Sequence, residues 1–216
     1  MRQKTIAVEC VHEYVSQLNE KYQTGDAREH TYRVPLDNLL KELLPNLTII
    51  NEPAHRECGA PDFVLKRKKD NMPIAFLEAK DLNDRDLDGK QDKKHKEQFD
   101  RYKKALDHIV FTDYLDFHLY EKGDIITSVR IAELRDGRIE LIDNIDEFIN
   151  LVDKLASASP QSITSASRLA TIMAQKAILM RNAIHEELER DIEEENYTTE
   201  LYRLYGSFKT QLIQDL

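Results

Sequence analysis

Apolar residues recur with a helical period over residues 3–21, where Ile6, Val8, Val11, Val15 and Leu18 fall roughly on one side. Gly25-Asp26 interrupts this pattern, and a second helical pattern runs over 27–44, with a bend expected near Pro35 and a stop at Pro45-Asn46. The period then shortens. Residues 47–51 (Leu-Thr-Ile-Ile-Asn) read as a strand. After a loop to Pro61, the runs Phe63–Leu65 and Ile74–Leu77 read as two arms of a hairpin turning over Lys68-Lys69-Asp70-Asn71. A polar loop over 81–92 leads to a helix over 93–106, marked by Phe99, Tyr102 and Leu106. Strands follow at 108–112, 115–120 and 125–134, then a helix at 145–155. The Ser-rich stretch 157–167 is a break in composition, and two helices over 168–195 and 198–215 complete the chain. The expected organisation is an α/β domain over 1–156, a linker over 157–167 and a helical connector over 168–216.

The hairpin departs from its own pattern. Asp62 stands at the start of one apolar arm, and Glu78 and Lys80 stand at the end of the other, where removing charge from water is costly. Residues i and i+2 of a strand point to the same side, so Glu78 and Lys80 share a face; a hairpin that aligns Asp62 beside them brings two carboxylates and an ammonium together. Two carboxylates held together repel, and a hard divalent cation with oxygen ligands relieves that repulsion. Such an ion can orient water and stabilise charge on a phosphodiester under attack, while Lys80 positions the nucleophile or neutralises the phosphate.

Composition narrows the setting. At 216 residues the chain is long enough for a packed core, and no apolar run reaches the length of a membrane span. The N-terminus lacks the apolar segment of a secretory signal, so the expected compartment is the cytoplasm, with no membrane partner. Cys10 and Cys58 are too few for a disulfide framework and read as reduced thiols. His55, Glu57 and Cys58 lack the fixed spacing of a zinc site. The net charge of -9 opposes nucleic-acid binding only as a global average. Eight acidic residues and a single Arg190 lie within 186–200, whereas Lys93, Lys94, Lys96, Arg101, Lys103 and Lys104 face only Glu97 and Asp100. Lys93, Lys94, Lys96 and Lys103 suit contacts to a DNA backbone; a solvated helix face accounts for them equally well.

Pro61-Asp62 followed by Glu78-Ala79-Lys80 resembles the signature of the PD-(D/E)xK nuclease superfamily, and Gln98-Phe-Asp-Arg-Tyr102 is similar to the Q-x-x-x-Y helix of its RecB-like branch. Together with Gly25–Leu40, Gly59–Phe63, Leu77–Asp81 and Phe111–Phe117, these segments resemble the N-terminal nuclease domain of single-polypeptide restriction-modification enzymes of the type ISP and type IIG kinds. The likeness spans about residues 20–155. It implies an α/β fold with a central mixed β-sheet flanked by helices, followed by a C-terminal helical extension. It also implies Mg²⁺, replaceable by Mn²⁺, held by Asp62, Glu78 and the Ala79 backbone carbonyl. Glu29 on the second helix is implied as a further ligand, against an ordinary exposed glutamate; Gln98 and Tyr102 are implied as supporting residues, against simple core packing.

The expected function is therefore a metal-dependent endodeoxyribonuclease acting on double-stranded DNA. One site cuts one strand, so a double-strand break calls for transient dimerisation or sequential nicking. The resemblance further implies methyltransferase or helicase domains downstream of the connector in the same polypeptide. The alternatives are a non-catalytic DNA-binding or assembly module of the same fold and a stand-alone Mrr-like or RecB-like nuclease. Thr112-Asp113-Tyr114 has a structural expectation, in which Asp113 accepts backbone N–H bonds in a turn.

Overall fold

The computed structural model describes residues 2–25, 29–51, 61–84, 86–90, 93–160 and 166–214. The chain divides into two compact units, the first carrying all elements up to residue 157 and the second the last two helices.

The first unit opens with α1 (Arg2–Gln23) and α2 (Glu29–Leu43), and α2 runs on through Pro35. The sheet is built from β1 (Leu47–Asn51), β2 (Phe63–Arg67), β3 (Met72–Ala79), β4 (His108–Thr112), β5 (Asp116–Glu121) and β6 (Asp124–Arg130), side by side in chain order. All neighbours are antiparallel except β3 and β4, which are parallel and joined by a crossover through α3 (Lys93–Ala105). A parallel pair needs such a crossover because its second strand must start at the same end as the first. The sheet is thus mixed and flanked by helices, an α/β architecture as the sequence led us to expect.

Each face of the sheet has its own cover. Phe99 of α3 packs on Phe111 of β4 with ring centroids 4.0 Å apart, and Phe111 meets Tyr120 of β5 edge-on at 5.5 Å. On the opposite face, Phe117 of β5 packs against Phe148 of α4 (Ile145–Ser157), at 4.8 Å. There the main core gathers Val11, Tyr14 and Leu18 of α1, Leu36 and Leu40 of α2, Leu77 and Val110 of the sheet, and Leu151 and Leu155 of α4. Inside it the Tyr14 hydroxyl donates to the Tyr114 carbonyl at 2.8 Å.

The strand expected over 125–134 is instead two strands. β6 ends at Arg130, and β7 (Ala132–Arg135) pairs with β8 (Arg138–Leu141) in a separate two-stranded sheet. At the break, the Ile131 N–H donates to the Leu115 carbonyl, at 2.8 Å, while its own carbonyl accepts from Ile142 at 2.9 Å. Asp136 and Gly137 turn the β7–β8 hairpin with φ of 45° and 75°, the left-handed pair of a two-residue turn. This Asp-Gly pair was the overlooked signal for β8. Asn19 of α1 accepts from the Ile139 N–H at 2.9 Å and ties the hairpin to the core.

The second unit is a hairpin of α5 (Ala166–Glu193) and α6 (Glu200–Gln214). Buried Asp191 organises its turn, accepting from the Thr199 hydroxyl while the Asn196 N–H donates to the Asp191 carbonyl at 2.8 Å. Among the described residues no helix is long and apolar enough to cross a membrane.

Candidate active site

The β2–β3 register pairs Phe63 with Leu77, so one step further along, Asp62 stands opposite Glu78. Two hydrogen bonds fix this end of the hairpin. The Ala79 N–H donates to Asp62 Oδ2 at 2.8 Å, and the Asp62 N–H is bonded to the Glu78 carboxylate. Lys80 leaves β3 with its own N–H donating to the Thr112 carbonyl at 2.8 Å, which anchors it to the parallel neighbour β4. Its ammonium turns back to Glu78, with Nζ 3.0 Å from Oε1.

The third side of the site comes from α3. Gln98 accepts from Lys80 Nζ through Oε1 at 2.6 Å and donates through Nε2 to Glu78 Oε1 at 3.0 Å. Lys80, Glu78 and Gln98 therefore close a triangle in which each side chain holds the other two. Tyr102, one helical turn beyond Gln98, is buried and hydrogen-bonded to it. The Lys80 ammonium also lies 5.4 Å from the centre of the Phe99 ring, within range of a cation–π attraction.

Burial pushes the Glu78 carboxyl up to about 7, with the charge of Asp62 adding to the rise and Lys80 opposing it. Burial, and after it Glu78, also holds the Tyr102 phenol well above its ordinary value, which keeps it protonated at neutral pH.

Asp62 has a partner that the sequence reading missed. Arg33 of α2 places Nη2 2.6 Å from Asp62 Oδ1, and both side chains are largely removed from water, at 7% and 15% exposure. The signal was present: Arg33 shares a helical phase with Leu36 and Leu40, both buried, and a cation on an apolar face needs a carboxylate.

Glu29 begins α2, one turn before Arg33, but its side chain lies outside the described residues, as do those of Lys93 and Lys94 and the whole of His55, Glu57 and Cys58. Lys96 is exposed. Lys103 folds back over the aromatic patch, 4.6 Å from the Tyr120 ring centre, where burial lowers its pKa. Asp113 does accept two backbone bonds, from Leu115 at 3.0 Å and Asp116 at 2.6 Å.

Among the described residues no group of three His, Cys, Asp or Glu side chains is placed to hold a metal ion. The oxygen donors at this end of the hairpin are the carboxylates of Asp62 and Glu78, which already engage Arg33, Lys80 and Gln98. Carboxylate oxygens suit Mg²⁺ or Mn²⁺ rather than zinc or copper. The donor set fits such an ion.

No protein-family model matches the chain, and no curated protein matches it. Among solved structures it is similar to a cryo-EM structure of a DrdV–DNA complex, with 22% sequence identity, a TM-score of 0.51 and 70% of this chain covered. That likeness shows the fold. The match takes up 14% of the DrdV chain, so this chain is similar to one part of a much longer protein.

Proposed function

We propose that the chain is a metal-dependent nuclease domain of the PD-(D/E)xK kind that hydrolyses phosphodiester bonds of double-stranded DNA, acting as the endodeoxyribonuclease part of a cytoplasmic restriction enzyme. The observation that carries this reading is the meeting of Asp62, Glu78 and Lys80 at one end of the β2–β3 hairpin. The fold likeness to a protein solved with DNA supports it.

Asp62, Glu78 and the Ala79 carbonyl would hold Mg²⁺ or Mn²⁺, which when bound supplies Lewis acidity toward the phosphate. The chain's own groups do the rest. Lys80, held by Gln98, sets its ammonium beside Glu78, where it can orient an attacking water and offset charge that builds on the phosphate oxygens. Gln98 fixes the lysine's direction, and Tyr102 fixes Gln98. The site handles one strand, so a double-strand break requires two protomers on DNA or two successive nicks. Methyltransferase or helicase domains of a longer polypeptide would supply target choice.

The test is nicking of supercoiled plasmid in Mg²⁺. Asp62→Asn preserves the acceptor for the Ala79 N–H but removes the charge; it also weakens the buried pair with Arg33, so nicking is assayed well below the variant's own melting temperature, where it is expected to fall to the plasmid's background. Cleavage by this variant at the wild-type rate would sink the assignment. A second reading, a DNA-binding module without catalysis, draws on the engagement of both carboxylates by Arg33 and Lys80. It predicts DNA binding with no Mn²⁺ uptake by calorimetry and no nicking.

A further inference from the structure

Two adjoining depressions run beside α1 and share Ile6 and Glu42, one lying between α1 and α2 and the other between α1, the end of α2 and α4. Leu39, Leu43, Ile149 and Val152 give them an apolar lining, and Ile6 is itself exposed. Around this groove stand the carboxylates Glu9, Glu13, Glu42, Asp146 and Asp153, against one lining cation among the described residues, Lys4, which is bonded to Asp146 at 2.8 Å. Glu9, Glu42 and Asp153 have no cationic partner among the described residues. Burial raises the Cys10 thiol, and the charges of Glu42 and then Glu9 raise it further, in keeping with a negative groove.

The first part of α5 has the opposite character. Residues 166–185 hold Arg168, Lys176 and Arg181 and no carboxylate. Leu169, Met173, Lys176 and Met180 follow one another at intervals of four, three and four residues, the spacing of one helical face. Met173 and Met180 are 62% and 47% exposed, and Lys176 is exposed with no carboxylate partner among the described residues. An apolar stripe interrupted by one cation calls for an apolar groove that contains a carboxylate.

We propose that the acidic groove of α1, α2 and α4 is the docking site for α5 of a second copy of this chain, each copy giving one helix and receiving one, with Lys176 of each facing Glu42 of the other. The dimensions agree. Ile6 and Gln17 mark the extent of the lining along α1, and Leu169 and Met180 the extent of the exposed stripe; each pair is eleven residues apart, about 17 Å of helix. Glu42 is common to both depressions, and Lys176 lies between the two methionines of the stripe, so the unpaired charges fall within the stretches that would meet. Reciprocal exchange closes about a two-fold axis, and association stops at two copies instead of running on into a filament. Such a dimer would form whether or not the candidate active site cleaves DNA.

The test is sedimentation velocity on the full chain. Wild type is expected to pass from monomer to dimer as its concentration rises to about 100 μM. Glu42→Lys and Lys176→Glu each set like charges against one another and should weaken dimerisation roughly tenfold or more, while the chain carrying both substitutions restores the pair and should return to within a few-fold of wild type. Both side chains are exposed, so the substitutions leave the fold intact. A wild type that stays monomeric at about 100 μM overturns the proposal, and binding of a labelled peptide of residues 166–185 to such a monomer would assign the groove to a basic helix other than a second copy. A dimer that neither single substitution weakens places the interface elsewhere. A double variant no tighter than the singles separates the stripe from the groove and overturns the pairing.

Discussion

Asp113 provides the sharpest quantitative expectation. It is 0% exposed, in the turn between β4 and β5. Burial raises its carboxyl from 3.8 to about 6 in spite of the bonds from Asp116 and Leu115 and the guanidinium of Arg130, whose nearest approach is 4.0 Å. The folded protein therefore holds this proton more tightly than the unfolded chain does. Its contribution is fully present below pH 3.8, declines as pH rises through about 6, and is level beyond that. At about 1.4 kcal/mol per pH unit, the loss across the window is about 3 kcal/mol. Asp113→Asn keeps Oδ1 as the acceptor for both backbone N–H groups but cannot ionise. Any constant cost of the amide cancels when each protein is compared with itself at two pH values. Urea unfolding of both proteins at pH 4 and pH 7.5 should show wild type losing about 2 kcal/mol more than the variant over that interval, since part of the loss has already occurred at pH 4. Identical pH slopes for the two proteins would mean that the buried carboxyl titrates normally, and the argument from desolvation would be wrong.

Three further expectations test other parts of the molecule. Gln98→Ala removes the clamp on Lys80, so plasmid nicking should slow by roughly one to two orders of magnitude while Mn²⁺ affinity from calorimetry stays within a few-fold; an unchanged rate would show that the triangle is incidental. Gly89 has φ of +68°, and a Cβ there would meet the Lys96 backbone at 3.0 Å. Gly89→Ala should therefore cost about 1–2 kcal/mol and lower the melting temperature by several degrees, with a neutral result excluding the close approach of this loop to α3. Leu151 of α4 is 1% exposed, and Leu151→Ala should destabilise by about 2–5 kcal/mol in urea unfolding, whereas a loss under 1 kcal/mol would place α4 outside the core.

Much of the sheet was legible because its local signals and its tertiary environment agree. The hairpin arms are short continuous apolar runs with a polar turn between them, and the α3 pattern of Phe99, Tyr102 and Leu106 is the face that meets the sheet. Asp62, Glu78 and Lys80 stood out as charges attached to apolar runs, which is a strictly local clue. Where the reading failed, the deciding contact was distant. The apolar pattern continues through Arg130, Ile131 and Ala132, and only the bonds of Ile131 to Leu115 and Ile142 reveal that the chain changes sheets there. Arg33 drew no reading from the sequence, because its partner Asp62 lies far along the chain. Lys103, read as one of the basic residues of α3, sets its ammonium 4.6 Å from the centre of the Tyr120 ring, a neighbour that lies beyond the crossover.

The parallel joint between β3 and β4 has a consequence for the order of folding. Asp62 and Glu78 belong to a short hairpin that can close as soon as its two arms exist, whereas Lys80 takes its anchor from Thr112 and its direction from Gln98, both downstream of the crossover. A nascent chain released only as far as the second arm would thus present its acidic pair with an unfixed lysine. On the proposed nuclease reading, activity would mature late, after the fourth strand has docked.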